Sequence, residues 1–116
     1  MNFNFKKKAF EERKAEYERV KKEHPTKVPI ICEKAPKAKF QEIDKTKFLV
    51  DGNLSLTVFT ASIRQKLQLD DIDALFLLAN GKITLPQNET INSIYKKYKS
   101  KDGFLYISYA AEEVWG

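Results

Sequence analysis

The chain of 116 residues holds one cysteine, one histidine and one methionine, and each scarcity removes a class of function. A lone Cys32 cannot close an internal disulfide, which fits a reducing compartment. With His24 as the sole histidine and no CxxC, HExxH, GxSxG or phosphate-loop pattern, the sequence spells out neither a metal centre nor a nucleophile beside its base. Asp70, Asp71 and Asp73 lack the spacing of a calcium-binding loop. No apolar run approaches the roughly 18 residues of a membrane span, and no signal-type hydrophobic segment follows the polar start.

What is present is an ordinary globular composition, 42% hydrophobic and 32% charged, at a length suited to one domain. Charge is distributed unevenly. Residues 1–48 carry 14 Lys/Arg against 8 Asp/Glu, and residues 49–116 carry 7 against 8. A basic first half is compatible with nucleic acid, anionic lipid or an acidic peptide. The lysines are spread over helix, loop and strand without an aromatic stacking platform, which argues against nucleic acid.

Phe3, Phe5 and then Lys6–Lys8 make a short amphipathic start. Phe10, Tyr17, Val20 and His24 recur near the helical period, and Pro25 ends that helix. Lys27–Glu33 reads as a strand with Val28, Ile30 and Cys32 on one face and Pro29 and Ile31 on the other. Pro29 donates no ladder bond, which predicts an open side at that point. A buried Cys32 has a raised pKa and is inert. Lys34–Lys45 is a loop, Thr46–Val50 a second strand, and Ser55 an expected N-cap for a helix carrying Leu56, Phe59, Ile63 and Leu67. Ala74–Ala79 is a buried strand, and Asn80-Gly81 turns Lys82–Leu85 back against it. Thr90 caps a last helix bearing Ile91, Ile94, Tyr95 and Tyr98. Phe104–Tyr109 is apolar at all but one position, as a strand covered on both faces must be. After it comes a short acidic tail that ends on Gly116.

Without the N-terminal helices, this ββ-α-β-(β)-α-β order is that of the α+β, ubiquitin-like β-grasp fold, with the last strand inserted centrally. The stretches Phe10-Glu-Glu-Arg-Lys-Ala-Glu, Val28-Pro-Ile-Ile-Cys-Glu-Lys-Ala, Ile43-Asp-Lys-Thr-Lys-Phe-Leu-Val50, Ser62-Ile-Arg64 and Asp102-Gly-Phe-Leu-Tyr106, with Gly116, resemble the autophagy-related protein 8 family of GABARAP-like ubiquitin-like modifiers. The resemblance covers nearly the whole chain. It implies two additional N-terminal helices (1–25) on a ubiquitin-like core (26–110) and a flexible tail (111–116).

It also implies a function other than catalysis and no cofactor. The family's terminal glycine is joined by ubiquitin-like activating and conjugating enzymes to phosphatidylethanolamine on autophagosomal membranes. A cysteine protease processes and removes the modifier. Cargo receptors and adaptors bind through aromatic-x-x-aliphatic peptides with acidic neighbours. Location is then the cytoplasm, with autophagosome and vacuole or lysosome membranes after lipid attachment, and the free form is a monomer. A non-conjugated ubiquitin-like peptide-binding adaptor remains the alternative.

By the same resemblance, Lys47–Val50 is the edge to which the peptide adds a strand. Glu16, Val20, Pro29, Ile31, Lys47, Leu49 and Phe104 are implied for the aromatic pocket. Phe48, Val50, Leu54, Phe59, Ser62, Ile63 and Lys66 are implied for the aliphatic pocket, with plain core packing as the competing reading for Phe59 and Ile63. Lys45 and Lys47, with Lys27 behind, are implied to meet acidic residues, and Lys6–Lys8 are expected elsewhere. Asp51 replaces the family's usual Pro, Ser62 an apolar residue, and Trp115 the usual Phe or Tyr; the Asn80-Gly81-Lys82 loop is one residue longer.

Overall fold

Alternation along Lys27–Lys34 builds the eight-residue strand β1, buried at every position but its two ends. In the computed structural model, which describes residues 1–111, β1 pairs on one side with β2, Lys47–Asp51, and on the other with β5, Leu105–Ala110. The sheet is completed by β3, Phe76–Ala79, and β4, Ile83–Thr84, in the order β2-β1-β5-β3-β4. β5 runs parallel to β1 and antiparallel to β3, so the last strand in sequence is the central one. All six of its residues are buried, which is the physical meaning of its apolar run. The tail reading, with Trp115 and Gly116, lies outside the described residues.

The strand period of two divides the sheet between two cores. On one face Val28, Ile30, Cys32, Leu105, Ile107 and Tyr109 pack against α2, Leu56–Leu67, and α3, Ile91–Tyr98. Cys32 is fully buried there, and burial pushes its thiol pKa up, with the neighbouring Glu33 charge adding to the effect. On the other face Ile31, Phe104 and Tyr106 pack against Phe3 and Phe5, with Tyr17 half-buried at the margin.

Thr90 caps α3, its hydroxyl accepting the Ser93 N–H at 3.1 Å. Ser55 occupies the N-cap position of α2, but its side chain makes no cap bond. The Leu56 and Thr57 amides donate instead to the carbonyls of Glu89 and Gln87, so the long-range link through the Ser55–Thr90 bridge replaces the local cap. At the hairpin, Asn80 and Gly81 both have positive φ, the pattern that Asn-Gly supplies, and Lys82 N–H donates to the Ala79 carbonyl. β1 is an inner strand, but at Pro29 its second side is open as expected: Pro29 pairs in register with Leu49, and the first β1–β5 pair is Ile30–Leu105.

Of the two N-terminal helices, only α1, Phe10–Glu23, is an α-helix; the first is a 3-10 turn, Asn4–Lys7. Without a side-chain cap of its own, that turn is held by Glu33, whose carboxylate accepts the Asn4 and Phe5 amides at 2.7 and 3.0 Å. α1 has no fully buried residue. It is fastened by Arg13, whose Nε donates to the buried Asp102 carboxylate at 2.9 Å and whose Nη1 donates to the Lys6 and Lys8 carbonyls. Asp102 also accepts the Phe104 amide and the Tyr106 hydroxyl. Next to it, Gly103 adopts φ +100°, and a Cβ there would stand 2.3 Å from the Tyr17 ring.

Removing Asp102 leaves the Nε of the 88% buried Arg13 side chain without its carboxylate and two interior donors without a partner. Asp102→Ala is therefore expected to cost about 3 kcal/mol or more. Urea unfolding checks this; a loss below about 1 kcal/mol would show that the carboxylate does not anchor α1.

Candidate peptide-binding face

β2 ends the sheet on one side, so its outer backbone row has no strand partner among the described residues. Its register against β1 sets Leu49 opposite Pro29 and Lys47 opposite Ile31, which puts these four on the face toward α1. Phe48 and Val50 fall on the opposite face, against the main core.

Beside this edge is a cavity of about 320 Å³ lined by Glu16 and Val20 from α1, Pro29 and Ile30 from β1, Lys45 from the preceding loop, Lys47, Phe48 and Leu49 from β2, and Phe104. Six of the seven residues read for the aromatic pocket meet there. The seventh, Ile31, is fully buried behind it among Phe3, Phe5, Phe104 and Tyr106. Ile31 thus supports the wall without lining it, because the side chains of Phe3 and Phe5 cover it. Leu49 is 41% exposed, and it lines this cavity.

The mouth is charged. Lys47 Nζ lies 3.1 Å from Glu16 Oε2, and Lys45 lines the same cavity. Lys27 is not a lining residue; it begins β1, pairs in register with Asp51, and its carbonyl accepts from Lys21 Nζ. Lys8, expected elsewhere, comes within 3.6 Å of Glu16 Oε1. It precedes α1, so helical periodicity held no signal of this approach.

The residues read for the aliphatic pocket are less uniform in burial. Phe59 and Ile63 are buried in the main core. Phe48 packs edge-on to Phe59 at 5.4 Å between ring centroids and carries the Lys45 and Lys66 ammonium groups over its ring at 5.6 and 5.8 Å. Val50 is half-buried, Ser62 is half-exposed on α2, and Leu54 is exposed just before that helix. A separate cleft of about 280 Å³ is lined by Gln41, Glu42, Ile43, Asp44, Lys45 and Lys66. Lys45 therefore borders both cavities.

This arrangement has the parts needed to hold an extended peptide: an unpaired edge, an apolar hollow for one large side chain, and ammonium groups at its rim. The family model described as "Autophagy protein Atg8 ubiquitin like" matches residues 12–116. Autophagy-related protein 8 of Candida glabrata is 41% identical over 108 residues, covering 92% of this chain and 90% of that protein. Its namesake from Saccharomyces cerevisiae is 43% identical over 108 residues, covering 92% and 91%. The crystal structure of Trypanosoma brucei ATG8 matches with a TM-score of 0.89 at 37% identity over 100% of both chains. A β-grasp sheet with its last strand at the centre, matched along nearly its whole length in sequence and in structure, places this chain in the Atg8 family of ubiquitin-like autophagy proteins.

Proposed function

We propose that the chain is a lipid-conjugated tether of autophagy, joined through Gly116 to phosphatidylethanolamine and holding cargo receptors and adaptors by aromatic-x-x-aliphatic peptides. The observation that carries the peptide half is the cavity beside the free β2 edge, with Leu49 exposed in its wall and Lys45 and Lys47 at its rim. A peptide strand added to β2 gains main-chain hydrogen bonds, while an aromatic side chain fills the hollow and gives specificity. The aliphatic residue, three positions after the aromatic, lies toward Phe48, Val50 and Leu54, over a floor of Phe59 and Ile63. Ser62 and Lys66 make that second contact more polar.

The conjugation half rests on family membership and on the chemistry of a terminal glycine. Activating and conjugating enzymes carry the Gly116 carboxyl as a thioester; the lipid amine attacks its carbonyl, an amide forms and the thiol leaves. Glycine has no Cβ to hinder that carbonyl or to obstruct a narrow active site. A cysteine protease that cleaves the same bond returns the free protein. No helix among the described residues is long and apolar enough to cross a membrane, so in this reading the acyl chains provide attachment to autophagosomal and vacuolar or lysosomal membranes.

Two experiments test the halves separately. Reconstitution with matched enzymes and phosphatidylethanolamine vesicles is expected to lipidate the wild-type chain and not Gly116→Ala; equal rates would refute conjugation at this residue. Leu49→Ala is expected to weaken an acidic Trp-x-x-Leu peptide by about 2 kcal/mol, roughly 30-fold, because it removes one wall of an aromatic site. Calorimetry measures this, and a change below about threefold would make Leu49 merely structural.

The lysines discriminate further. Exposed ion pairs are worth only about 0.2–1 kcal/mol, but the Lys47 stem also covers apolar surface. Lys47→Ala is expected to cost more affinity than Lys45→Ala, and part of the Lys47 loss is expected to persist in high salt. Complete recovery of both variants in salt would reduce the site to a non-specific basic surface.

A further inference from the structure

Glu16 has a side chain only 16% exposed, and two ammonium groups reach it from different elements. Lys47 Nζ, from β2, stands 3.1 Å from Oε2, whereas Lys8 Nζ, from the segment before α1, stands 3.6 Å from Oε1. The same ammonium groups lie over one aromatic ring, Phe5, at 5.2 Å for Lys8 and 5.5 Å for Lys47. Phe5 packs edge-on against Phe104, a wall of the aromatic cavity. Two cations thus share one carboxylate on a common platform, and the group carries an excess of one positive charge.

That excess matters when a peptide carboxylate approaches Lys47. If Lys47 were the sole partner of Glu16, turning it toward the peptide would leave a largely covered carboxylate without a counter-ion, a cost comparable with the ion pair gained. Lys8 removes that conflict. Its 3.6 Å separation is longer than a charge-assisted hydrogen bond, which closes to about 2.7–2.9 Å, so the contact has room to tighten. We propose that Lys8 is a positioning residue that takes over Glu16 as Lys47 turns to an acidic residue beside the peptide aromatic. This counter-ion exchange makes the site selective for acidic peptides. The inference rests on the peptide-docking reading of the same site.

The exchange differs from direct attraction between Lys8 and the peptide, and a double-mutant cycle separates them. Calorimetry at low ionic strength would use the full chain, Lys8→Ala, Glu16→Gln and the double variant. Each is titrated with an acidic Trp-x-x-Leu peptide and with its Asn/Gln counterpart. Lys8→Ala is expected to weaken the acidic peptide about threefold, within the range of exposed ion pairs, and to leave the neutral peptide unchanged. In the Glu16→Gln background, which has no carboxylate to hand over, the Lys8 substitution is expected to have no effect. Lys8→Arg is expected to retain the acidic preference.

An equal Lys8 loss in both backgrounds would mean that Lys8 contacts the peptide itself, and the exchange would be wrong. Equal losses on acidic and neutral peptides would make Lys8 a structural support, and no loss on the acidic peptide would make it idle. Either outcome overturns the proposal. Failure of the wild-type chain to bind either peptide would overturn the docking reading instead, and the exchange with it.

Discussion

The carboxylate of Asp102 is the constraint on which the arrangement of this molecule depends. It is fully buried, yet it accepts from a guanidinium, a backbone amide and a phenol at once. A charge in that position is tolerated only because each donor is present, and it binds distant parts of the chain more strictly than apolar contact would. Arg13 brings α1, Phe104 and Tyr106 bring the central strand, and Gly103 admits the Tyr17 ring beside them. Burial and the Asp102 hydrogen bond both raise the Tyr106 pKa, so the phenol stays protonated and donates.

The consequence reaches the peptide face. α1 has no apolar stripe deep enough to hold it on the sheet, since none of its residues is fully buried. Its orientation comes from Arg13, from Tyr17 against Phe104 and Tyr95, and from the Phe3 and Phe5 rings beneath the N-terminal segment. Glu16 and Val20 therefore reach the aromatic cavity as passengers of that docking. Opposite them, the β1–β2 register delivers Pro29, Lys47 and Leu49. A site built from an accessory helix and a sheet edge needs both held rigidly: β1 holds the β2 edge by its ladder, and Asp102, just before β5, holds α1 through Arg13.

Particular residues show how much of this was legible in sequence. The run Phe104–Tyr109 announced a doubly covered strand, because only such a strand lacks a polar alternate. Asn80-Gly81 and Thr90 acted through local backbone chemistry and did what local chemistry requires. Ser55 did not, because the neighbouring strand-like bridge to Thr90 and the Glu89 carbonyl supplied what a cap would have satisfied. Ile31 had the right alternation for the pocket but was covered by Phe3 and Phe5, an event decided 26 to 28 residues away. Phe59 and Ile63 lay on the inner face of α2 and became core.

Sequence by itself determined the element types, the strand faces and the family motifs, since each depends on periodicity or on neighbours within a few residues. The motifs also marked Lys47 and Leu49, by resemblance, for the peptide edge. Only the tertiary structure decided that Arg13 meets Asp102, that Glu33 holds the 3-10 turn, and that Lys8 and Lys47 share Glu16. These are pairings of polar groups across 8 to 89 positions, and charged residues carry no period that identifies a distant partner. Their partners are chosen by which surfaces the apolar cores bring together, because a buried charge must find its counter-group wherever packing has left one.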